Sequence, residues 1–400
     1  MSTRRAVARR AAQAMTCMAA TVLGLTACGT GQAEHETVPT VTISAAPQLG
    51  TTLTGTAGTW AVVPMGTSGT NLFWELLLRS AGGSGWKAVT PPGVADNGGL
   101  VVAQGSGQSL TAGFRPSQHL TFSPLAATTS AGRSWSGLAA ELPGGFAASP
   151  DALAAGPDGS LVGLTGAGGG TLYTSASGAA SWTTLTGRQK LAAATAARAC
   201  QVTALTAVTV TAAGTTMAGA ACGRPGTAGV FALSGGTWRT AGPAATALPA
   251  SLRRAALRVI RLTTTASGTS AVFTATAGGT TSVLAAWLRG GTGGWALSGP
   301  LDAGSGTVLT SGPGAGTSAY VLLRTAAGTR LEVTSGAGQP WTSLPAPPSG
   351  TAAVVLGPGM HTEALAVAGA KFTDWTHDPG SPSWSRGKTV NVDVPFGSSG

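Results

Sequence analysis

Apolar runs of about four to six residues recur along the chain, each cut off by clusters of Gly, Pro, Ser or Asn. The segment from Ala152 shows the unit. An apolar run at 152–155 meets a Pro157-Asp158-Gly159 turn, and a second run follows at 160–165. Glycines at 168–170, a third run at 171–175 and a fourth at 181–185 complete it. Runs this short, punctuated by turn residues, predict β-strands; four strands joined by three turns predict one small antiparallel sheet. The same order returns at 319–344, at 363–384 and, in outline, at 72–89. No long helical period is present, and only the Ala-rich segment from Lys190 to Arg198 predicts a short turn of helix.

A tryptophan closes each copy: Trp86, Trp135, Trp182, Trp238, Trp295, Trp341 and Trp384, at spacings of 49, 47, 56, 57, 46 and 43 residues. A period of about 50 residues means one supersecondary unit repeated. A lone four-stranded sheet cannot bury both faces, whereas radial stacking buries them and leaves only short edges. The expected fold class is therefore all-β, a seven-bladed β-propeller of four-stranded antiparallel blades. Blade limits fall near 39–93, 94–143, 144–188, 189–244, 245–301, 302–346 and 347–400. Small residues in the innermost strands fit the crowding near a propeller axis.

The first 27 residues read differently. Arg4, Arg5, Arg9 and Arg10 precede an apolar stretch from Ala11 to Leu25, the layout of a secretory signal. The ending Leu25-Thr26-Ala27-Cys28 resembles a bacterial lipobox. That resemblance implies lipidation of Cys28 and anchoring on the outer face of the cytoplasmic membrane, with residues 28–38 as a polar tether. The alternative is an ordinary signal peptide with a chance cysteine.

Charge narrows the partners. The chain carries 23 basic and 13 acidic residues; without residues 1–27 the balance is 19 against 13, or +6. Lys87, Lys190, Lys371 and Lys388 are far apart, and the one basic cluster is Arg253, Arg254, Arg258 and Arg261. That cluster reads as a solvated connection between blades, so no nucleic-acid partner is expected. Of the remaining cysteines, Cys200 and Cys222 flank two strand-like runs joined by the Ala212-Ala213-Gly214 turn. Antiparallel pairing across that turn predicts a disulfide, as export would allow.

The phrases before the tryptophans carry a second resemblance. Thr128-Thr-Ser130-Ala-Gly132-Arg-Ser134-Trp135 resembles the Asp-box, or BNR, repeat, as do the phrases at 175–182 and 334–341. The Asp position holds Ser130, Ser177 and Gly336 instead. In that family the box is a structural hairpin turn with its Trp packed beneath, so the resemblance implies a fold rather than a reaction.

Sialidases share the repeat, and their chemistry needs an arginine triad, a Tyr nucleophile with a Glu, and an acid/base Asp. Phe114-Arg115-Pro116 matches their Phe-Arg-Ile-Pro motif poorly, and the two tyrosines, Tyr173 and Tyr320, sit inside apolar strands. The four histidines are His35, His119, His361 and His377. Asp374, His377 and Asp378 admit either a metal site or a polar hairpin tip, and the hairpin tip is the preferred reading; His361 and Glu363 alternate on one strand face. No catalytic residues, metal or cofactor are assigned. The expected function is a non-catalytic binding or scaffold protein at the cell envelope; its ligand is left open among an envelope protein, a cell-envelope glycan and a small molecule. The competing class is a divergent propeller enzyme: a glycosidase, lyase or quinoprotein-like protein.

Overall fold

The computed structural model describes residues 52–66, 73–94, 99–114, 125–138, 150–166, 170–178, 181–265, 267–288 and 294–392. The leader, Cys28 and the tether lie outside these residues, as do His35, Arg115, Pro116 and His119. Residues 41–400 form one compact unit.

The described strands are arranged as antiparallel meanders. Four-stranded sheets span 52–88, 100–137, 152–187, 307–343 and 351–391, each with its strands in sequence order. A nine-stranded sheet spans 202–304. It contains two more four-strand meanders, 202–240 and 256–297, joined by the single pair Ala221↔Arg258, plus the strand Leu301–Gly304. The segment from Lys190 to Arg198 is helical, within Arg188–Ala193 and Thr195–Arg198, and buries Leu191 and Ala197.

Packing follows the two-residue period of a strand. Along Gly58–Met65, Trp60 and Val62 pack with Leu100 and Val102 of the second meander. Ala61 and Val63, pointing the other way, pack with Leu365 and Phe372 of the last meander. Both faces of the sheet are thus covered, which is why every residue of Leu161–Thr165 is buried rather than every second one. Apolar clusters fill each successive interface in the same manner. First and last meanders also join through the backbone, with the Gly66 N–H donating to the Gly369 carbonyl at 2.9 Å. Sheets stacked face to face in sequence, with the last returned to the first, make a β-propeller.

The periodic tryptophans tie neighbouring meanders together. Trp135 donates its indole N–H to the Val89 carbonyl at 2.9 Å, and Trp295 to that of Ala241 at 2.5 Å. Trp341 reaches Gly299 at 2.8 Å and Trp384 reaches Pro345 at 3.1 Å. Each acceptor lies three or four residues past the tryptophan of the preceding meander. The indole therefore packs between sheets and pins the linker that precedes its own meander, instead of serving only its own turn. Trp86 has a different acceptor, the carboxylate of Glu363 in the last meander.

The turn before Trp135 is held by hydroxyls. Ser130 Oγ accepts the Ser134 N–H at 3.0 Å, and Thr128 Oγ1 accepts the N–H groups of Ser130 and Gly132 at 3.2 and 3.0 Å. Gly132 has φ 77°, a left-handed conformation that glycine adopts without side-chain strain. Gly336 offers no side chain, and the Thr334 hydroxyl accepts its N–H at 3.4 Å.

Cys200 and Cys222 form a disulfide, with Cα atoms 4.8 Å apart. The strands Val202–Val210 and Thr216–Cys222 pair antiparallel with Val202 opposite Cys222, as the intervening turn predicts.

The basic cluster departs from its sequence reading. Arg253 and Arg254 are exposed, but Arg258 and Arg261 belong to the strand Ala256–Thr265. Arg261 is buried, with Nε donating to the Ser311 carbonyl at 3.0 Å in the next meander. It is part of the propeller wall, not of a solvated connection. Its placement follows from strand alternation around a bulge at Val259/Arg261, which a charge count does not reveal.

Candidate functional site

The first strand of every meander contributes to the wall of one central cavity of about 530 Å³. These strands are built from small and β-branched residues because several of them converge in little space. Leu153-Ala154-Ala155, Val208-Thr209-Val210 and Thr263-Thr264-Thr265 are typical stretches of the wall.

Hydroxyls dominate the polar part of this wall and bond to one another or to backbone. Thr209 Oγ1 donates to Thr264 Oγ1 at 3.1 Å, across two neighbouring meanders. Thr52 Oγ1 donates to the Val354 carbonyl at 2.9 Å, and Thr265 and Ser267 share a hydrogen bond of 2.8 Å.

Two arginines complete the lining. Arg79 forms an ion pair with Glu363 and lies over the Trp86 ring, 5.2 Å from its centroid. Desolvation pulls the Arg261 guanidinium below its ordinary value, while nearby Tyr320 acts in the opposite sense. Among the described residues, the wall contains no Asp, Glu, His, Lys, Tyr or Cys. It is therefore equipped for hydrogen bonding and weak positive potential. Proton transfer near neutral pH, or activation of one of these hydroxyls as a nucleophile, would draw on an acid or base outside these described lining residues.

The other candidates are dispersed. The periodic tryptophans, from Trp86 and Trp182 to Trp238, are buried or half-buried between sheets, and none lines the central cavity. Tyr320 is buried and within 3.4 Å of the Thr52 hydroxyl; Tyr173 is half-buried in its strand.

Asp374, His377 and Asp378 do not converge. His377 Nε2 is 3.0 Å from the Ser381 carbonyl, and its ring packs at 5.3 Å from Trp384. Asp378 instead meets His361 Nδ1 at 2.7 Å, on the surface. Asp374 is three positions from His377 along one strand, so the two side chains leave opposite faces. No group of three potential metal ligands occurs among the described residues. His361 and Glu363 are likewise separated in role. Glu363 is buried and receives Trp86 and Arg79, and desolvation raises its carboxyl above the ordinary 4.5, with those two partners opposing the shift.

Sequence reading missed Arg79, whose partner is distant along the chain, and Trp375. The second had a signal: Trp375 is nine residues from Trp384 and off the repeat period.

No protein-family model matches the chain, and comparison with curated proteins finds no match. Among solved structures it is similar to YCF48 bound to D1 peptide, at 16% identity over 80% of this chain and 91% of that one, with TM-score 0.45. A putative 6-phosphogluconolactonase from Bacteroides uniformis shows 12% identity over 83% and 96%, with TM-score 0.48. A polysaccharide lyase, ulvan lyase, shows 11% identity over 75% and 82%, with TM-score 0.43.

Proposed function

We propose that the chain is an exported, lipid-anchored, seven-bladed β-propeller that binds a partner at the cell envelope without converting it. The observation that carries this reading is the central cavity wall, built of Thr hydroxyls, small apolar side chains and two arginines. One of those arginines is already committed to Glu363. Such a wall suits recognition of a polar ligand or a protruding segment of an envelope protein or glycan. It lacks, among the described residues, the acid/base pair on which a glycosidase or lyase depends. The blade count rests on five four-stranded sheets and the two meanders of the nine-stranded one. Export is supported by the basic-then-apolar N-terminus, and the Cys200–Cys222 disulfide agrees with it. Lipidation at Cys28 is supported by the Leu25-Thr26-Ala27-Cys28 motif, and the degenerate Asp-box phrases support a structural use of the repeat.

Three measurements test the reading. Cells expressing the full chain should incorporate labelled palmitate into it, and Cys28→Ala should release the protein from membranes; attachment unchanged by the substitution would refute the anchor. Purified protein should bind solubilised envelope components in a manner abolished by Thr209→Trp, which fills the cavity. Turnover of chromogenic glycosides or of uronate polysaccharides above the buffer rate would refute a non-catalytic role.

A further inference from the structure

The chain has 11 tryptophans. Ten of them belong to the apolar clusters between sheets; Trp375 belongs to none. It stands half-exposed on the strand Lys371–His377, in the wall of a cleft of about 520 Å³. A large aromatic that contributes to no core is an informative exception, because burial is the default use of tryptophan.

The cleft is built around this ring. Ala366 and Ala368 belong to the adjacent strand, opposite Thr373 and Lys371, and as alanines they leave the floor open. Pro345 and Pro348 of the preceding linker and Pro382 of the last hairpin supply stiff walls. Arg386, across the pair Trp375↔Arg386, holds its guanidinium 5.8 Å from the ring centroid and supports the indole. Thr373, Ser349 and Ser383 bring the polar groups, and no charged side chain lines the cleft among the described residues. The volume lies within the range of about 300–1,000 Å³ usual for ligand sites.

These features select a ligand class. The electron-rich indole face attracts weakly positive C–H groups presented as a flat face. Hydroxyls both donate and accept, matching a ligand whose own groups do both. An ionised ligand would lose hydration with no charged side chain in the lining to replace it, because the nearby Arg386 guanidinium is engaged with the indole and with the Thr389 hydroxyl at 3.2 Å. A proline-rich peptide is the competing ligand; of the two ring N–H groups in the lining, that of Trp384 is already bonded to the Pro345 carbonyl at 3.1 Å. We propose that the Trp375 cleft is a binding site for a neutral saccharide, with Trp375 as the stacking platform and Thr373, Ser349 and Ser383 as hydrogen-bonding partners. This site is separate from the central cavity and does not depend on what that cavity holds.

The mature chain tests it directly. Glucose, galactose, mannose, N-acetylglucosamine and their β-linked trisaccharides are titrated by saturation-transfer NMR and calorimetry, beside an octaproline peptide. At least one neutral sugar should bind saturably, and Trp375→Ala should weaken it at least tenfold. Ala368→Leu, at an exposed position that narrows the floor, should do the same. Both variants should keep the wild-type urea midpoint, separating a lost platform from a lost fold. Absence of binding by every sugar, sugar binding indifferent to both substitutions, or binding of octaproline alone would each overturn the assignment.

Discussion

Trp86 gives its indole N–H to the carboxylate of Glu363, 277 residues further along the chain. At four other joints the periodic tryptophan meets a backbone carbonyl. The joint between first and last meanders thus depends on a buried side chain, which also receives Arg79. A backbone acceptor survives any substitution; a carboxylate does not.

Glu363→Ala should therefore destabilise the fold by about 2–3 kcal/mol, since it strands a buried indole N–H and a half-buried guanidinium. Glu363→Gln keeps an acceptor and should cost less. Urea unfolding followed by tryptophan fluorescence measures both; equal effects of the two variants would show that the acceptor is unimportant.

Replacing Trp341 with Phe retains most of the bulk but removes the bond to Gly299. A loss of about 1 kcal/mol is expected. Trp375→Phe, outside every apolar cluster, should change stability by less than about 0.5 kcal/mol. Similar losses at both positions would remove the distinction between a joint tryptophan and an exposed one.

The repeat was legible in the sequence because a strand period and a turn residue are local properties. Short runs at 152–155 and 171–175 are strands with those limits. Each periodic tryptophan stands at or just before a fourth strand, as Trp182 does before Thr183–Gly187. The pairing of Cys200 with Cys222 was legible for the same reason, both cysteines flanking one hairpin. Arg261 was not, because the bulge beside it shifts which residues face the interior. The partners of Glu363 were hidden as well: Arg79 is 284 residues away, and only closure of the sheets brings them together. Asp378 found His361 rather than His377 through a strand pairing that sequence proximity misrepresents.

Glu75 allows a test by pH. It is buried in the first meander, where desolvation raises its carboxyl above the ordinary 4.5, against the lowering effect of the Thr90 hydroxyl. The folded state therefore holds this proton more tightly than the unfolded chain. Its contribution to stability is complete below about pH 4.5 and is lost as pH rises through the elevated folded value. The urea midpoint of Glu75→Gln should lack that part of the decline. Parallel pH profiles for variant and wild type would show that Glu75 does not titrate in this way.

Reduction of the disulfide releases a loop with a sequence separation of 22 residues. Chain-entropy reasoning gives a loss of about 3 kcal/mol. Cys200→Ser with Cys222→Ser should match the reduced wild type in urea. A double variant as stable as the oxidised protein would mean that the hairpin is closed by its strand pairing alone.

The tryptophan-to-linker bond also bears on how such a chain changes length over evolutionary time. Duplication of a repeat joined as at Trp135, Trp295, Trp341 or Trp384 would carry its own donor and its own backbone acceptor, so the new copy would be docked without any compensating substitution. The Trp86–Glu363 pair has no such freedom, because its acceptor is a side chain that whichever repeat comes last has to carry. Copy number is then policed at one seam, and a lineage that gains or loses a repeat at its C-terminal end must reinvent that residue.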